Sequence, residues 1–208
     1  MTQSGFDARV IRAAYDEFAS EYLTTFGDDL EHLDLDRRLL TQLAEHAGGV
    51  GSVLDIGCGP GHVGRHLCAR GVDVIGVDFA PAMLAVARQA EPRLAVVAAD
   101  LRALPVRSGS VAGVVVFYVL QHLPRSELQP ALRELRRALA PGGLLVGAVH
   151  AGEGDFKAAP DITATRYTEQ ELASHLADAS LPVESVHHRE PLAHEFQAAR
   201  FYVVARAV

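Results

Sequence analysis

Residues 53–61 read Val-Leu-Asp-Ile-Gly-Cys-Gly-Pro-Gly, an apolar run that carries one acid, Asp55, into a loop with glycine at 57, 59 and 61. That loop suits a backbone that turns sharply and comes very close to a ligand. A side chain at Gly57, Gly59 or Gly61 is expected to block the approach, and only glycine adopts the required dihedrals cheaply. The segment from Pro60 to Arg70 reads as a helix, so its first amides also face the ligand. The chemistry implied is the binding of a nucleotide-type cofactor at the first strand–helix turn of an α/β sheet. Two histidines follow later apolar runs, His122 and His150. Both are candidate general bases at the same edge of the sheet as the glycine loop.

The elements that must position these groups recur at βα intervals. Val72–Val77 ends in Asp78 and is followed by Phe79-Ala-Pro-Ala-Met83. An acid at that strand end can accept hydrogen bonds from both ribose hydroxyls, in dinucleotide enzymes as in others. Leu94–Ala99 is closed by Asp100-Leu101, and Val111–Tyr118 is apolar enough for a strand buried on both faces. It leads into Val-Leu-Gln-His-Leu at 119–123, and Leu-Ala-Pro-Gly-Gly-Leu-Leu-Val at 139–146 turns into a fifth strand. The dinucleotide fingerprint fails by one residue type: Gly57-x-Gly59-x-x-His62 lacks its third glycine, and Gly64 comes two positions late. The alternating form Asp55-x-Gly57-x-Gly59-x-Gly61 fits in full.

These five motifs, in this order over roughly residues 50–150, resemble the class I S-adenosylmethionine-dependent methyltransferases, specifically the small "type 11" group. The resemblance implies an α/β, Rossmann-like fold: a seven-stranded, mostly parallel sheet of order 3-2-1-4-5-7-6, its last strand antiparallel, with helices on both faces. Phe201-Tyr-Val-Val-Ala205 is the expected antiparallel strand. S-adenosyl-L-methionine, with S-adenosyl-L-homocysteine as product, is expected across the carboxyl ends of the first three strands. The resemblance places Asp55 near the cofactor's amino group, Gly57, Cys58, Gly59 and Gly61 along its amino-acid end, and Asp78 at the ribose. Phe79 and Met83 follow beside it. Asp100 is expected at the adenine amino group, with the backbone of Leu101 reading the ring, and Phe117 leads into the loop beside the transferred methyl. The segment Ala14-Tyr15-Asp16-Glu-Phe-Ala-Ser-Glu-Tyr22 looks like the family's Tyr-Asp-x-x-Ala-x-x-Tyr motif, which makes Tyr15 a cofactor contact and leaves Tyr22 to core packing.

The implied reaction is in-line transfer of a methyl group from a sulfonium to an O, N or C nucleophile, with rate supplied by alignment. A base is optional for a neutral amine and useful for a phenol or hydroxyl. His122 is either a residue that caps its loop or a base. His150, at the end of a central strand, reads equally as structural and as substrate-facing. Asp55 has a second role as the acceptor that fixes the glycine loop. Two other functions stay open: a nicotinamide-dependent oxidoreductase on a related fold, and a non-catalytic protein that binds the same cofactor.

Composition sets limits. With 208 residues, 49% of them apolar, the chain can bury one sizeable core and is expected to form a single methyltransferase domain. Within it, residues 1–49 form a helical cap, 50–150 the cofactor-binding core, and 151–208 a substrate-side segment and C-terminal strands. A net charge of −7 argues against nucleic acid, whose phosphates need a basic surface. No apolar run is long enough to span a membrane and no leader pattern opens the chain, so a cytoplasmic protein is expected. A small-molecule acceptor, with a monomer or homodimer, is the remaining expectation for partners.

The ends carry weaker signals. Phe6, Val10, Ala14, Phe18 and Tyr22 lie roughly on one face of a helix over 6–26, and a second helix runs from Asp34 to His46. Gly152, Gly154 and Pro160 mark a flexible stretch from 151 to 165. Thr168 and Glu171 make a capping box for a helix over 169–179, and strands are expected at Val183–His188 and Ala199–Ala205. His187, His188, His194 and Glu195 lack spacing that defines one metal, so they read as surface residues and no metal is expected. Arg166 and Tyr167 are candidates to bind an acidic acceptor. The basic cluster Arg133-Glu-Leu-Arg-Arg137 reads as a solvated helix face, and Cys58 and Cys68 as small buried residues.

Overall fold

The structure, a computed structural model, describes residues 6–208. The sheet has seven strands in the order β3-β2-β1-β4-β5-β9-β8. They are β1 (Val53–Ile56), β2 (Val74–Asp78), β3 (Ala95–Ala98), β4 (Val111–Phe117), β5 (Leu139–His150), β8 (Val183–Arg189) and β9 (Arg200–Arg206). Counted among themselves they reproduce the expected 3-2-1-4-5-7-6. All neighbours pair in parallel except β9, which runs against both β5 and β8. Strands β1 and β4 are buried almost throughout, as a sheet covered on both faces requires.

Helices α1 (Ala8–Phe26), α2 (Asp34–Ala47), α3 (His62–Cys68), α4 (Pro81–Ala90), α5 (Arg125–Ala138) and α6 (Glu169–Asp178) cover the sheet. One buried cluster joins α5 and α6 to one face through Leu128, Leu132, Leu135, Leu172 and Leu176. A second joins α2 and α3 to the other through Leu39, Leu40, Leu43 and Leu67. Thr168 caps α6 by accepting from the Glu171 amide at 3.2 Å, as its sequence suggests. Helix α4 has no side-chain cap of its own; Asp16 of α1 accepts from the Ala82 amide at 2.9 Å. A carboxylate at a helix N-terminus satisfies an orphan donor and meets the positive end of the dipole. This bond ties α1 to the start of α4.

Three expectations are corrected. The buried positions of α1 are Ile11 and Ala19, with Tyr15 and Tyr22 packed beside Met83, whereas Val10 is exposed. A four-residue step fits several neighbouring stripes of one helix, and only the surface it meets selects among them. The stretch at 151–165 is largely an ordered hairpin, β6 (Asp155–Ala159) with β7 (Ile162–Thr165). Pro160 lies in its turn, and Ile162 and Ala164 are buried. Arg136 and Arg137 are not merely solvated: Arg137 binds the carbonyls of Leu104 and Val106, and Arg136 that of Val208.

Candidate active site

The strand that begins the site ends in a loop with three left-handed glycines: Gly57, Gly59 and Gly61 have φ of +67°, +51° and +83°. The Gly57 and Cys58 amides both donate to the Val77 carbonyl, at 2.7 and 3.0 Å, which holds the loop over the end of β2. The three glycines serve different purposes. A Cβ on Gly57 would lie 2.2 Å from the Val119 side chain, and one on Gly61 would lie 3.0 and 3.1 Å from Leu94 and Ala87. Only at Gly59 is the space open, with Met83 Sδ 4.0 Å away. The expectation that all three make room for a ligand is therefore corrected. Gly57 and Gly61 make room for the protein itself, and Gly61 is packed away from the cavity.

That cavity, of about 350 Å³, runs past the carboxyl ends of the central strands. Gly57, Cys58, Gly59, Asp55, Asp78, Phe79 and Met83 line one part, with Asp100 and Leu101 beyond β3. Asp78 Oδ2 accepts from the Gly59 amide at 2.9 Å and Oδ1 from the Ala80 amide at 2.9 Å. Burial raises its carboxyl above the ordinary range, against the pull of those amides. Asp55 is more deeply buried, and its Oδ2 has no hydrogen-bond partner. Burial pushes Asp55 up to about 7, only partly offset by the Gly64 amide. Asp100 is held low by Arg102, which bonds it at 2.9 Å. Cys58 and Cys68 are free thiols, and burial pushes the Cys58 thiol up.

Tyr15 and His122 meet in the middle of this lining, hydroxyl to Nε2 at 3.0 Å. Burial pushes His122 down to about 4, so the ring is neutral at pH 7. Tyr22 lines the cavity as well as packing against Phe18 and Phe26, so its expected restriction to the core is corrected. Phe117 marks the turn toward the far end. There His150 lies buried at the end of β5, its Nδ1 2.8 Å from Gln121 Oε1. Burial first, then the Arg200 charge, pushes His150 down to about 4.

An adenosylmethionine fits these groups by their unmet needs. Asp55 Oδ2 is a buried acceptor that an ammonium would satisfy, and the open side of Gly59 admits close approach of a ligand. Asp78 retains lone pairs for hydroxyl donors.

A family model described as a methyltransferase domain matches residues 53–143. A demethylmenaquinone methyltransferase from Renibacterium salmoninarum is 30% identical over 81% of this chain and 69% of its own length. The chain belongs to the class I S-adenosylmethionine-dependent methyltransferases. A malonyl-(acyl-carrier protein) O-methyltransferase from Enterobacter lignolyticus is 33% identical over 67% of this chain, which spans 53% of that relative's length. In fold, the chain matches the crystal structure of a Burkholderia thailandensis 1,6-didemethyltoxoflavin-N1-methyltransferase with bound S-adenosylhomocysteine. The TM-score is 0.77 at 20% identity, over 100% of this chain and 92% of that one. The family's methyl donor is S-adenosylmethionine, and membership sets aside the nicotinamide alternative.

The methyltransferase's far wall contains residues the sequence did not single out. Arg189, Phe196 and Arg200 line the cavity, together with Glu195, which in the sequence is only one of four scattered metal candidates. Glu195, expected at the surface, is buried against Arg189 with bonds of 2.7 and 2.8 Å. Arg189 also bonds the Tyr202 hydroxyl at 3.0 Å, and Tyr202 donates to Asp36 at 3.0 Å. Burial raises Asp36 to about 6 against the Arg189 charge. Tyr118 joins this network at 2.8 Å from Tyr202 and carries φ +59°, a conformation costly outside glycine. A mixed apolar and charged string around Pro191 gave no periodic signal. The left-handed Tyr118 had none either.

The remaining candidates scatter. His187 bonds Ser185, His188 pairs with Glu169 and His194 with Asp29, three unrelated surfaces. Tyr167 is fully buried under Arg125 and so cannot bind an acceptor, which corrects that expectation. Arg166 lies 4.8 Å over the Phe156 ring.

Proposed function

We propose that this chain transfers a methyl group from S-adenosylmethionine to a small molecule held between the glycine loop and the His150 wall. One observation carries the proposal: a single cavity joins the Gly59–Asp78 cradle to an end lined by Tyr118, Phe196 and His150, whose Nε2 is buried without a partner. When bound, the cofactor supplies a methyl group already activated by its positive sulfur. The protein's part is alignment and exclusion of water.

Asp55 and Asp78 would hold the cofactor's amino and ribose groups, with Asp100 and Leu101 at the base and Phe79, Met83 and Phe117 as apolar walls. Tyr15 and His122 would fix the position of α1 over the donor, and His150 would face the acceptor. In this arrangement the described residues 6–49 cap the core at 50–150, and 151–208 supply the acceptor side. The net charge of −7 supports a small acceptor over nucleic acid. Among the described residues no helix is long and apolar enough to cross a membrane.

The test has two stages. Calorimetric titration of the purified chain with S-adenosylhomocysteine should give saturable binding that Gly59→Val abolishes, since its side chain would enter the one open position of the loop. A screen of small acceptors should then release S-adenosylhomocysteine from S-adenosylmethionine. Absence of binding to the wild-type chain sinks the assignment.

A further inference from the structure

The far end of the cavity is a row of side chains across three strands. His150 on β5 is the register partner of Arg200 on β9, and Arg200 is that of Arg189 on β8. Register partners project from the same face of a sheet and touch. Two facing arginines repel, and Glu195 relieves this by accepting two bonds from Arg189 while lying 3.5 Å from Arg200. Arg189 spends its other donors on the hydroxyls of Tyr202 and Tyr118. Arg200 is 3% exposed, and its Nε is buried without a partner.

His150 has a defined tautomer. Gln121 Oε1 lies 2.8 Å from Nδ1 and 3.3 Å from the His150 backbone nitrogen. A backbone N–H can only donate, so the atom facing it must be the amide oxygen, and that oxygen can only accept. The ring proton therefore sits on Nδ1 and the lone pair on Nε2, which is buried with no partner. Around it stand the rings of Tyr118, Phe156 and Phe196, with centroids 5.2–5.4 Å from that of His150. Phe156 and Phe196 stack on each other at 4.6 Å, which joins the β6–β7 hairpin to the segment before β9.

The unpartnered Nε2 asks for a donor, and both a hydroxyl and an amine can supply one. The surrounding charge separates them. The Arg200 charge acts on the His150 ring more strongly than that of Glu195, which is shared between Arg189 and Arg200, so the wall beside the ring is net positive. An amine becomes positive as its bond to carbon forms, whereas a hydroxyl becomes negative as its proton leaves. Fixed positive groups favour the second.

We propose that the acceptor is a flat phenol or enol whose hydroxyl donates to Nε2 of His150, and that Gln121 is the positioning residue that keeps this nitrogen unprotonated. The proposal rests on the methyl-transfer reading and narrows its substrate class. The hydroxyl proton passes to Nε2 and makes an imidazolium, and the electron pair left on the acceptor forms the new bond to the methyl carbon. The bond from that carbon to sulfur breaks with its pair retained on the sulfur of S-adenosylhomocysteine. The imidazolium returns the proton to solvent after product leaves. Burial that keeps His150 a weak base restricts it to hydroxyls made acidic by conjugation.

The probes are 4-nitrophenol, 4-nitroaniline and nitrobenzene, of matched shape, titrated by calorimetry with and without saturating S-adenosylhomocysteine. 4-Nitrophenol is expected to bind at least about tenfold more tightly than the other two, and His150→Phe to erase that preference. In 15N NMR, His150 should show the Nδ1-protonated tautomer in the wild type and in Gln121→Glu. In Gln121→Leu the tautomers should mix. S-adenosylhomocysteine affinity within about twofold of wild type certifies each variant as folded. Equal affinity for the three probes, no binding of any, or a wild-type His150 protonated on Nε2 overturns the proposal. Failure of S-adenosylhomocysteine to bind overturns the methyl-transfer reading instead. The tautomer and the probe preference, both read without cofactor, still decide this one.

Discussion

The hydroxyl of Tyr15 lies 3.0 Å from Nε2 of His122, so α1 is bonded directly to the loop that follows β4. Both residues line the cavity, and Asp16, the next residue along, caps α4 from the same helix. Neighbouring residues of α1 thus tie it both to the loop after β4 and to the start of α4. Tyr15→Phe leaves His122, whose Nδ1 is already without a partner, with no hydrogen bond from its ring. We expect a loss of about 1–2 kcal/mol in urea unfolding, and S-adenosylhomocysteine bound about tenfold more weakly. Unchanged affinity would place α1 outside the cofactor site.

Asp55 predicts a pH dependence with a definite sign. Its carboxyl titrates near 7 in the cofactor-free protein, above its ordinary 3.8, so at pH 6 it is mostly protonated. Pairing with the cofactor's ammonium requires the ionised form, so binding must release a proton below about pH 7. Affinity for S-adenosylhomocysteine should fall as pH drops from 7 to 5, by up to about tenfold per unit, and level off above 8. Asp55→Asn should flatten the profile. Calorimetry in buffers of different ionisation heat counts the proton; a count of zero at pH 6 removes Asp55 from the amino-group site.

Asp78→Ala should act twice. It removes the acceptor for the Gly59 and Ala80 amides as well as the expected ribose contact. We predict a lower melting temperature together with a loss of about 1–3 kcal/mol in cofactor affinity. A fall in melting temperature alone would make Asp78 a loop clamp with no ligand role.

Gly61→Ala tests the loop without touching the cavity. It forces φ +83° on a residue with a Cβ, and that Cβ lies within 3.1 Å of both Leu94 and Ala87. The left-handed penalty alone is about 1–2 kcal/mol, and crowding adds to it. The measurement is denaturant unfolding. A neutral result would mean that α4 and the β3 approach yield freely.

Arg189→Leu strands two buried carboxylates, Glu195 and Asp36, whose side chains are 9% and 3% exposed. Breaking such a cluster from one side costs about 3–5 kcal/mol. Because Asp36 already titrates near 6, its protonation should soften the loss in acid. The gap between variant and wild type should therefore narrow from pH 8 to pH 5, as followed by chemical unfolding at each pH.

Much of this molecule can be read along the chain. The glycine loop, the acid that ends β2 and the Thr168 cap depend on local residue types and intervals, and the strand order is what the family resemblance carried by those motifs implies. Backbone dihedrals, strand period and helix caps are short-range constraints, and they leave marks on adjacent positions. Asp78 and Gly59 are 2.9 Å apart because the first two βα units of such a sheet place their loops side by side.

The far wall of the cavity could not be read that way. His150, Arg200 and Arg189 meet only through the antiparallel insertion of β9 between β5 and β8. Gln121 reaches His150 across 29 positions, and Phe196 reaches Phe156 through a stack that no sequence interval announces. The stripe of α1 that faces inward was likewise chosen by Ala80 and Met83, not by its own spacing. A backbone pattern is set by each residue's nearest neighbours. Which buried charge finds which partner is set by burial, which penalises every polar atom left alone until the tertiary fold supplies its counterpart.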